Sequence, residues 1–550
     1  MLLSKYHWLQ AEQRLLWDSK RFDASNNLYI PFTPSLYKTF FKNAHLVIPS
    51  NKFIEPYIEL SREAILTYPH VEYDGKVCLH TELRSNITEE QFINQLIQSF
   101  CNSFLKKIIS GEIQQDFYDE PEHYWTIFVD RFYNQYYKRT IYRNGRQKKT
   151  TGIMEFPGKL LLLDKRPSYS TEYTSILLGN ERIIAGTDSD YRKRVLQNYE
   201  LTQKNLMTLE IPLNNCYIPN KWPRNLTALS NAISIFTDDR LARIYTQPSR
   251  LVILRAPNCN YAYFINKDGK LIPFECDKAD IEWIYGRYKN NNLIKNQSKK
   301  IVCFGAGSLG SQVIPLLVKE GIGEIITVDY DKFKTPNLSR HLLGMNSLDK
   351  YKVSEIEKYI NTHLPTCHIK AERITVDKWL EKAKTNNLFN EVEFFIDLTG
   401  SEEVRNILDE VRLSYDIPLI SGWMEPFVTA AHVAYFPGNK NWKAQEIELW
   451  EEIAAFKGWP DGYMQNEPGC SSQFQSYSGI ETLKAASIIA EACIDFLNYR
   501  DISTLSQIEV TSLVRSNNFC ERQEYKAEER ASWAKIPENL DGMIIKRFFK

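Results

Sequence analysis

The chain has 550 residues, 43% of them hydrophobic and 25% charged, with 68 basic and 68 acidic side chains. That length exceeds a single core and predicts roughly two to four domains, and the composition is that of a soluble globular protein. Zero net charge excludes a global attraction to nucleic acid or to a membrane surface, and no apolar run reaches membrane-spanning length. The start, MLLSKYHWLQAEQ, lacks the sustained apolar core of a signal peptide. Ten cysteines without a Cys-x-x-Cys pair argue against a disulfide framework and against the common paired-cysteine zinc site. A reducing cytoplasm with free thiols is the expectation.

The first constellation in the chain is Tyr68-Pro69-His70, an Asp74-Gly75 turn, and then Cys78. A thioester acceptor must be a reachable thiolate on a turn, and the Asp-Gly pair supplies that placement. A buried cysteine in a β-meander is the competing reading. Residues 87–105 follow with a helical pattern, after Asn86 and Thr88 as caps. The region is similar to the ubiquitin-conjugating family, whose His-Pro-Asn precedes its acceptor cysteine by seven residues. Here Val71 to Val77 supply the same seven-residue spacing, and Asp119 to Trp125 resembles the end of bacterial conjugating-type domains. The resemblance implies that Cys78 accepts a thioester. It also implies that His70 stands where an asparagine normally holds the oxyanion, a bond that a neutral imidazole N–H can supply.

The basic segment from Lys138 to Lys149 reads as a solvated loop. Residues 150–290 change texture: Leu251–Arg255 and Tyr261–Ile265, with turns at Pro257-Asn258 and Lys267-Asp268-Gly269, read as strands and hairpins without evident chemistry. The polar run 290–300 reads as a linker.

From Lys300 onward short apolar strands alternate with helical patterns, as in a mostly parallel α/β sheet. Strands are expected at 301–304, 324–329, 368–374, 393–397 and 417–421. The first runs into Gly305-Ala306-Gly307-Ser308-Leu309-Gly310, and Asp329 lies 19 residues past Gly310 (329 − 310). The glycines allow close backbone approach to a phosphate at a helix N-terminus, and the acid suits a ribose. A nicotinamide dinucleotide site needs little more. A nucleoside triphosphate attacked at its α-phosphate needs fixed cations, which Arg340 and Lys352 provide, and Asn337 can hold a phosphate oxygen or the metal shell.

The block from Gly305 to Lys352 resembles the adenylating domain of the ubiquitin-activating superfamily, which includes the thiamine and molybdopterin sulfur-carrier adenylyltransferases. That pattern is a glycine loop, an Asp-x-Asp strand end (Asp329 and Asp331 here), Asn-Leu-x-Arg (Asn337 and Arg340) and a lysine (Lys352). The resemblance implies ATP and Mg2+ as cofactors, activation of a protein C-terminal carboxylate as an acyl-adenylate, and pairing as a homodimer. One position departs from it. Gly400 stands where the family carries a magnesium-handling aspartate, and Asp397, three residues earlier, is either a metal ligand or a strand-end cap.

Asn466-Glu467-Pro468-Gly469-Cys470-Ser471-Ser472 reads as an exposed loop ahead of a helix at Ile480–Asn498. Nearby helix amides would lower the thiol pKa, and Cys470 occupies the place of the thioester cysteine of activating-type enzymes. The small face of the helix, Ala485, Ala486 and Ala490, suits core packing or a dimer contact. The other cysteines read as structural.

The fold class expected is therefore multidomain α+β and α/β. A ubiquitin-conjugating-like α+β domain spans 1–150, a β-rich connector spans 151–295, and a Rossmann-like, ThiF-type adenylating domain spans 296–550. The arrangement resembles the fused ubiquitin-transferase-like family of bacterial anti-phage operons that signal with cyclic oligonucleotides (CBASS). That resemblance implies a relay through Cys470 and Cys78. The activated partner would be a cGAS-like nucleotidyltransferase C-terminus or a ubiquitin-like protein, and the acceptor a target amine. Three rival readings stay open: a sulfur-carrier adenylyltransferase with a docking module, a nicotinamide-dependent oxidoreductase, and a non-catalytic binding protein on an adenylating fold.

Overall fold

The computed structural model describes residues 5–79, 87–141, 158–179, 182–197, 199, 202–286, 291–438, 446–466, 473–499 and 507–549. They form two compact units, 1–192 with 200–280, and 193–199 with 281–550. Among them no helix is long and apolar enough to cross a membrane.

The first unit opens with an antiparallel meander of β1 (Arg21–Phe22), β2 (Leu28–Pro31), β3 (Ala44–Ile48) and β4 (Tyr57–Leu60). The two-residue period of β2 puts Leu28 and Ile30 into the core. The helix Glu89–Ser99 covers that core with Phe92, Ile93, Leu96 and Ile97. Its start is a reciprocal cap: Gln91 N–H donates to Thr88 Oγ1, and Thr88 N–H donates to Gln91 Oε1. The single helix expected over 87–105 is interrupted by a π-helical turn at Phe100–Phe104 before Leu105–Ser110. The wider turn seats both Phe100 and Phe104 in the core, stacked at 5.7 Å, with Phe100 4.7 Å from Phe32.

The middle region is a closed barrel. Its strands are β5 (Lys159–Leu162), β6 (Thr171–Leu178), β7 (Arg182–Ala185), β8 (Gln203–Pro212), β9 (Arg250–Arg255), β10 (Asn260–Ile265) and β11 (Leu271–Lys278). The helix Pro121–Ile141 packs onto it through Trp125, whose Nε1–H donates to Phe274 O at 2.9 Å. The Trp125 ring meets Trp222, Tyr261 and Tyr263 edge-on at 5.2–5.3 Å. One hydrophobic core therefore runs from the meander through this helix into the barrel, and the described residues on either side of 150 belong to one compact unit.

The second unit is built on a sheet ordered β14-β13-β12-β15-β16-β17-β21-β23. Strands β12 (Lys300–Phe304), β13 (Glu324–Val328), β14 (His368–Glu372), β15 (Val392–Asp397) and β16 (Leu419–Met424) run parallel. Strands β17 (Ala430–Phe436), β21 (Ile508–Arg515) and β23 (Gly542–Phe549) add antiparallel. Two short pairs complete it: β18 (Phe456–Lys457) with β22 (Glu529–Arg530), and β19 (Met464–Asn466) with β20 (Gln473–Gln475).

The linker expected at 290–300 is instead a packed element, with a helix at Asn291–Lys295 and a 3-10 turn at Asn296–Ser298. Asn296 is buried and donates to Glu320 O, and Gln297 donates to Gly321 O. The polar side chains that read as solvated instead satisfy carbonyls at the end of the helix Ser308–Lys319. The small face of the helix Gly479–Tyr499 takes the core option: Ala485, Ala486 and Ala490 are buried within the unit.

Candidate active site

Strand β12 lies between β13 and β15, the point where connections diverge to opposite sides of a doubly wound sheet and a crevice opens at the strand C-termini. The glycine loop fills that crevice. Gly305 sits at φ +92°, and a Cβ there would lie 2.8 Å from Leu398 C and 2.9 Å from Thr399 N. A Cβ on Gly310 would lie 2.0 Å from Gly305 O. These two glycines are close-approach positions, whereas Gly307 faces open space. The helix Ser308–Lys319 begins at Gly307 without a side-chain cap. Its first amides stay available to an anion.

Asp329 closes the loop from below. Ala306 N–H donates to its Oδ2 and Asp331 N–H to its Oδ1, both at 2.7 Å. Burial raises its carboxyl above the usual carboxylate range, and the Lys352 charge works against that rise. Lys352 Nζ donates to Asp331 Oδ2 at 2.8 Å. Arg340 Nε donates to Ser308 Oγ at 3.0 Å, its guanidinium lies 5.0 Å over the Tyr477 ring, and Tyr477 OH donates to the same Ser308 oxygen at 3.3 Å. The structure thus gathers Gly305, Gly310, Asp329, Asp331, Arg340 and Lys352 around one loop. Asn337 Oδ1 accepts Lys334 N–H in its own turn, a bond that does not use its Nδ2 donors.

Three residues here escaped the motif reading: Ser308, Tyr477 and His341. His341 Nε2 lies 2.8 Å from Ala306 O, and its Nδ1 accepts Leu343 N–H at 3.1 Å, which assigns the neutral Nε2–H tautomer. Desolvation pushes its pKa down to about 4. Its position beside Arg340 was the only available signal.

Asp397, read from the sequence as either a metal ligand or a strand-end cap, is 1% exposed. Thr399 N–H and Oγ1–H donate to its Oδ1 at 3.0 and 2.7 Å, Ser421 Oγ lies 3.3 Å from Oδ2, and Arg405 Nε 3.6 Å from the same oxygen. Its carboxylate is committed to the turn and to buried partners, so this site does not fit a metal ion. Gly400 adopts φ +68° with open space beside it. Among the described residues no group of three or more His, Cys, Asp or Glu is arranged to hold a metal.

In the first unit, Glu72–Lys76 form a tight hairpin whose Gly75, at φ +93°, lies against β4. A Cβ there would come 2.7 Å from Leu60 O. Val71 and Val77 pair across the hairpin and are buried, while Cys78 next to them is exposed. Cys78 N–H donates to His70 O at 2.7 Å. The acceptor candidate and His70 are therefore joined through the backbone. Partial desolvation, then Glu72 and Glu120, raise the Cys78 thiol above its ordinary value.

His70 adopts φ +62°, its N–H donating to Tyr124 OH at 3.0 Å. Its Nε2 lies 3.1 Å from Asp116 Oδ2, which also accepts Lys107 Nζ at 2.7 Å. The expected role, a neutral N–H donor to an oxyanion, meets a constraint: that N–H is spent on Asp116, and Nδ1 of the neutral ring is an acceptor. Tyr124 lies in the Asp119 to Trp125 stretch read from the sequence, whereas Asp116 and Lys107 come from helical segments that carry no motif. Cys470 and part of the basic segment, 142–149, lie outside the described residues. The strands flanking Cys470 pair with Asn466 opposite Gln473.

Comparison with known proteins finds a family match in each of two regions of the chain. Residues 286–516 match the ThiF family and residues 6–133 match prokaryotic E2 family B. The chain is similar to the ATP-dependent ubiquitin transferase-like protein Cap2 of Enterobacter hormaechei, with 33% identity over 108 residues, 20% of this chain and 18% of that protein. It is also similar to the adenylyltransferase and sulfurtransferase UBA4 of Saccharomyces cerevisiae, with 29% identity over 129 residues, 23% of this chain and 28% of that protein. The alignments span less than a third of either relative. Among solved structures, Escherichia coli MccB shares 18% identity and covers 41% of this chain and 62% of its own, with a TM-score of 0.31.

Proposed function

Since the chain joins an E2-like domain to a ThiF-like adenylating domain, we propose that it activates a protein C-terminal carboxylate with ATP and conjugates it to an amine. The observation that carries this reading is the pairing in one chain of two features. One is a glycine loop with Arg340 and Lys352 beside it. The other is an exposed Cys78 bonded through its amide to His70.

The loop fits ATP as a substrate: Gly307 faces open space, and the uncapped start of the helix Ser308–Lys319 offers its amides to an anion. A carboxylate oxygen attacks the α-phosphorus, the bond to the β-phosphate oxygen breaks, and pyrophosphate leaves. Arg340 and Lys352 neutralise the charge that develops. The Cys470 thiolate then displaces AMP from the acyl-adenylate. The Cys78 thiolate takes the acyl group from Cys470 by thioester exchange. A lysine amine attacks the Cys78 thioester, forming an amide and releasing the thiol. His70, oriented by Asp116, accepts the amine proton. Magnesium accompanies ATP in the resemblance, but Asp397 offers it no site and no step here is assigned to it.

In this proposal the partner is a cGAS-like nucleotidyltransferase C-terminus or a ubiquitin-like protein, the adenylating domains pair as a homodimer, and the setting is cytoplasmic anti-phage defence. The sulfurtransferase relative supports a second reading, in which the E2-like domain only docks the carrier. A non-reducing gel with ATP and a candidate partner separates the two. Cys470→Ala abolishes the thiol-sensitive adduct. Cys78→Ala leaves the adduct on Cys470 but blocks the amide product, and an unchanged amide yield overturns the relay.

A further inference from the structure

The first unit contains a cavity of about 360 Å³ between the segment after β4, the helix Pro121–Ile141 and the barrel. Its walls carry three arginines, Arg62, Arg131 and Arg224. None pairs with a carboxylate among the described residues. The acid on the wall, Glu63, is bonded to Lys42 at 2.5 Å. Arg131 donates to Ile65 O at 3.0 Å and Arg224 to Pro219 O at 3.2 Å, so each keeps further N–H groups. Arg224 also lies 5.3 Å over the Phe128 ring, an apolar wall of the same cavity. Burial, then the charges of Arg224 and Arg62, hold Arg131 below its ordinary range, which reports how close the three cations are.

A second observation is independent of the charges. Tyr263 lines the cavity and is 1% exposed, and its buried hydroxyl has no hydrogen-bond partner among the described residues. Buried hydroxyls are ordinarily satisfied, and an orphan is unfavourable until an acceptor reaches it. Three unpaired cations around one space repel each other until an anion enters.

We propose that this cavity binds a phosphate-bearing small molecule, with its phosphate held by Arg62, Arg131 and Arg224. Guanidinium forks match phosphate oxygens in pairs, and a phosphate carries close to two negative charges where a carboxylate carries one. The volume is that of a small-molecule site. The assignment is independent of the relay proposed above.

The test is isothermal titration of the full chain carrying Lys352→Ala, which weakens the glycine-loop site. The probes are inorganic phosphate, guanosine monophosphate and succinate. Arg62 and Arg224 are exposed, so the added double substitution Arg62→Ala/Arg224→Ala preserves folding, checked by circular dichroism. Binding of phosphate or the nucleotide, weakened at least tenfold by the double substitution, supports the site. Tighter binding of the nucleotide identifies an organic phosphate, and equal or tighter binding of inorganic phosphate identifies the free ion. Undiminished affinity in the double variant, succinate binding as tightly as phosphate, or no binding of any probe overturns the assignment.

Discussion

Lys352 Nζ sits 2.8 Å from Asp331 Oδ2, with 9% of the lysine side chain exposed against 51% of the aspartate. The carboxylate keeps the ammonium oriented beside the glycine loop, and water can replace the lysine at Asp331. Lys352→Ala should therefore lower ATP–pyrophosphate exchange by about 10²–10³-fold, with little change in the melting temperature. Arg340→Ala should behave similarly, because its Ser308 bond places it at the helix start. Exchange within threefold of the parent would remove both from the adenylation step.

His341 makes stability depend on pH. Its folded pKa, about 4, lies below the ordinary imidazole value near 6.5. The unfolded chain therefore takes up a proton first as pH falls. The stabilisation is fully present above about pH 6.5 and disappears as pH drops through about 4, a change of about 3 kcal/mol. Urea unfolding at pH 7, 5.5 and 4 should show a shallower decline for His341→Gln than for the parent. Parallel curves would refute the assignment.

The Cys78 thiol is raised by desolvation, Glu72 and Glu120. Alkylation by iodoacetamide at pH 7, followed by mass spectrometry, should be slower at Cys78 than for a free cysteine peptide. It should rise with pH beyond the range where the peptide saturates. Glu120→Gln should raise the pH 7 rate a few-fold without altering Cys303 or Cys493, which are buried.

Gly310→Ala places a methyl group 2.0 Å from Gly305 O. Backbone must shift, so destabilisation of about 1–3 kcal/mol is expected, together with loss of ATP binding. Gly307→Ala, facing open space, should fold with near-parental stability, which equilibrium denaturation of the two variants compares directly.

Local pattern alone determined much of this protein. The apolar runs at 301–304 and 324–329, the glycine spacing and the Asp-Gly turn before Cys78 are signals carried within a few residues. Period and turn chemistry therefore exposed the strands, the glycine loop and the hairpin. Tertiary structure decided what depends on distant partners. Asp397 reads in sequence as a ligand or a cap, and only Ser421 and Arg405, brought by other elements, commit it to the buried arrangement. His70 reads as an oxyanion donor until Asp116, 46 residues away, takes its Nε2–H. The run 290–300 reads as a linker because its polar side chains look solvated, and only the packed end of the next helix gives Asn296 and Gln297 their carbonyl partners. Hydrogen-bond roles and burial are properties of neighbours in space, which spacing along a chain does not encode.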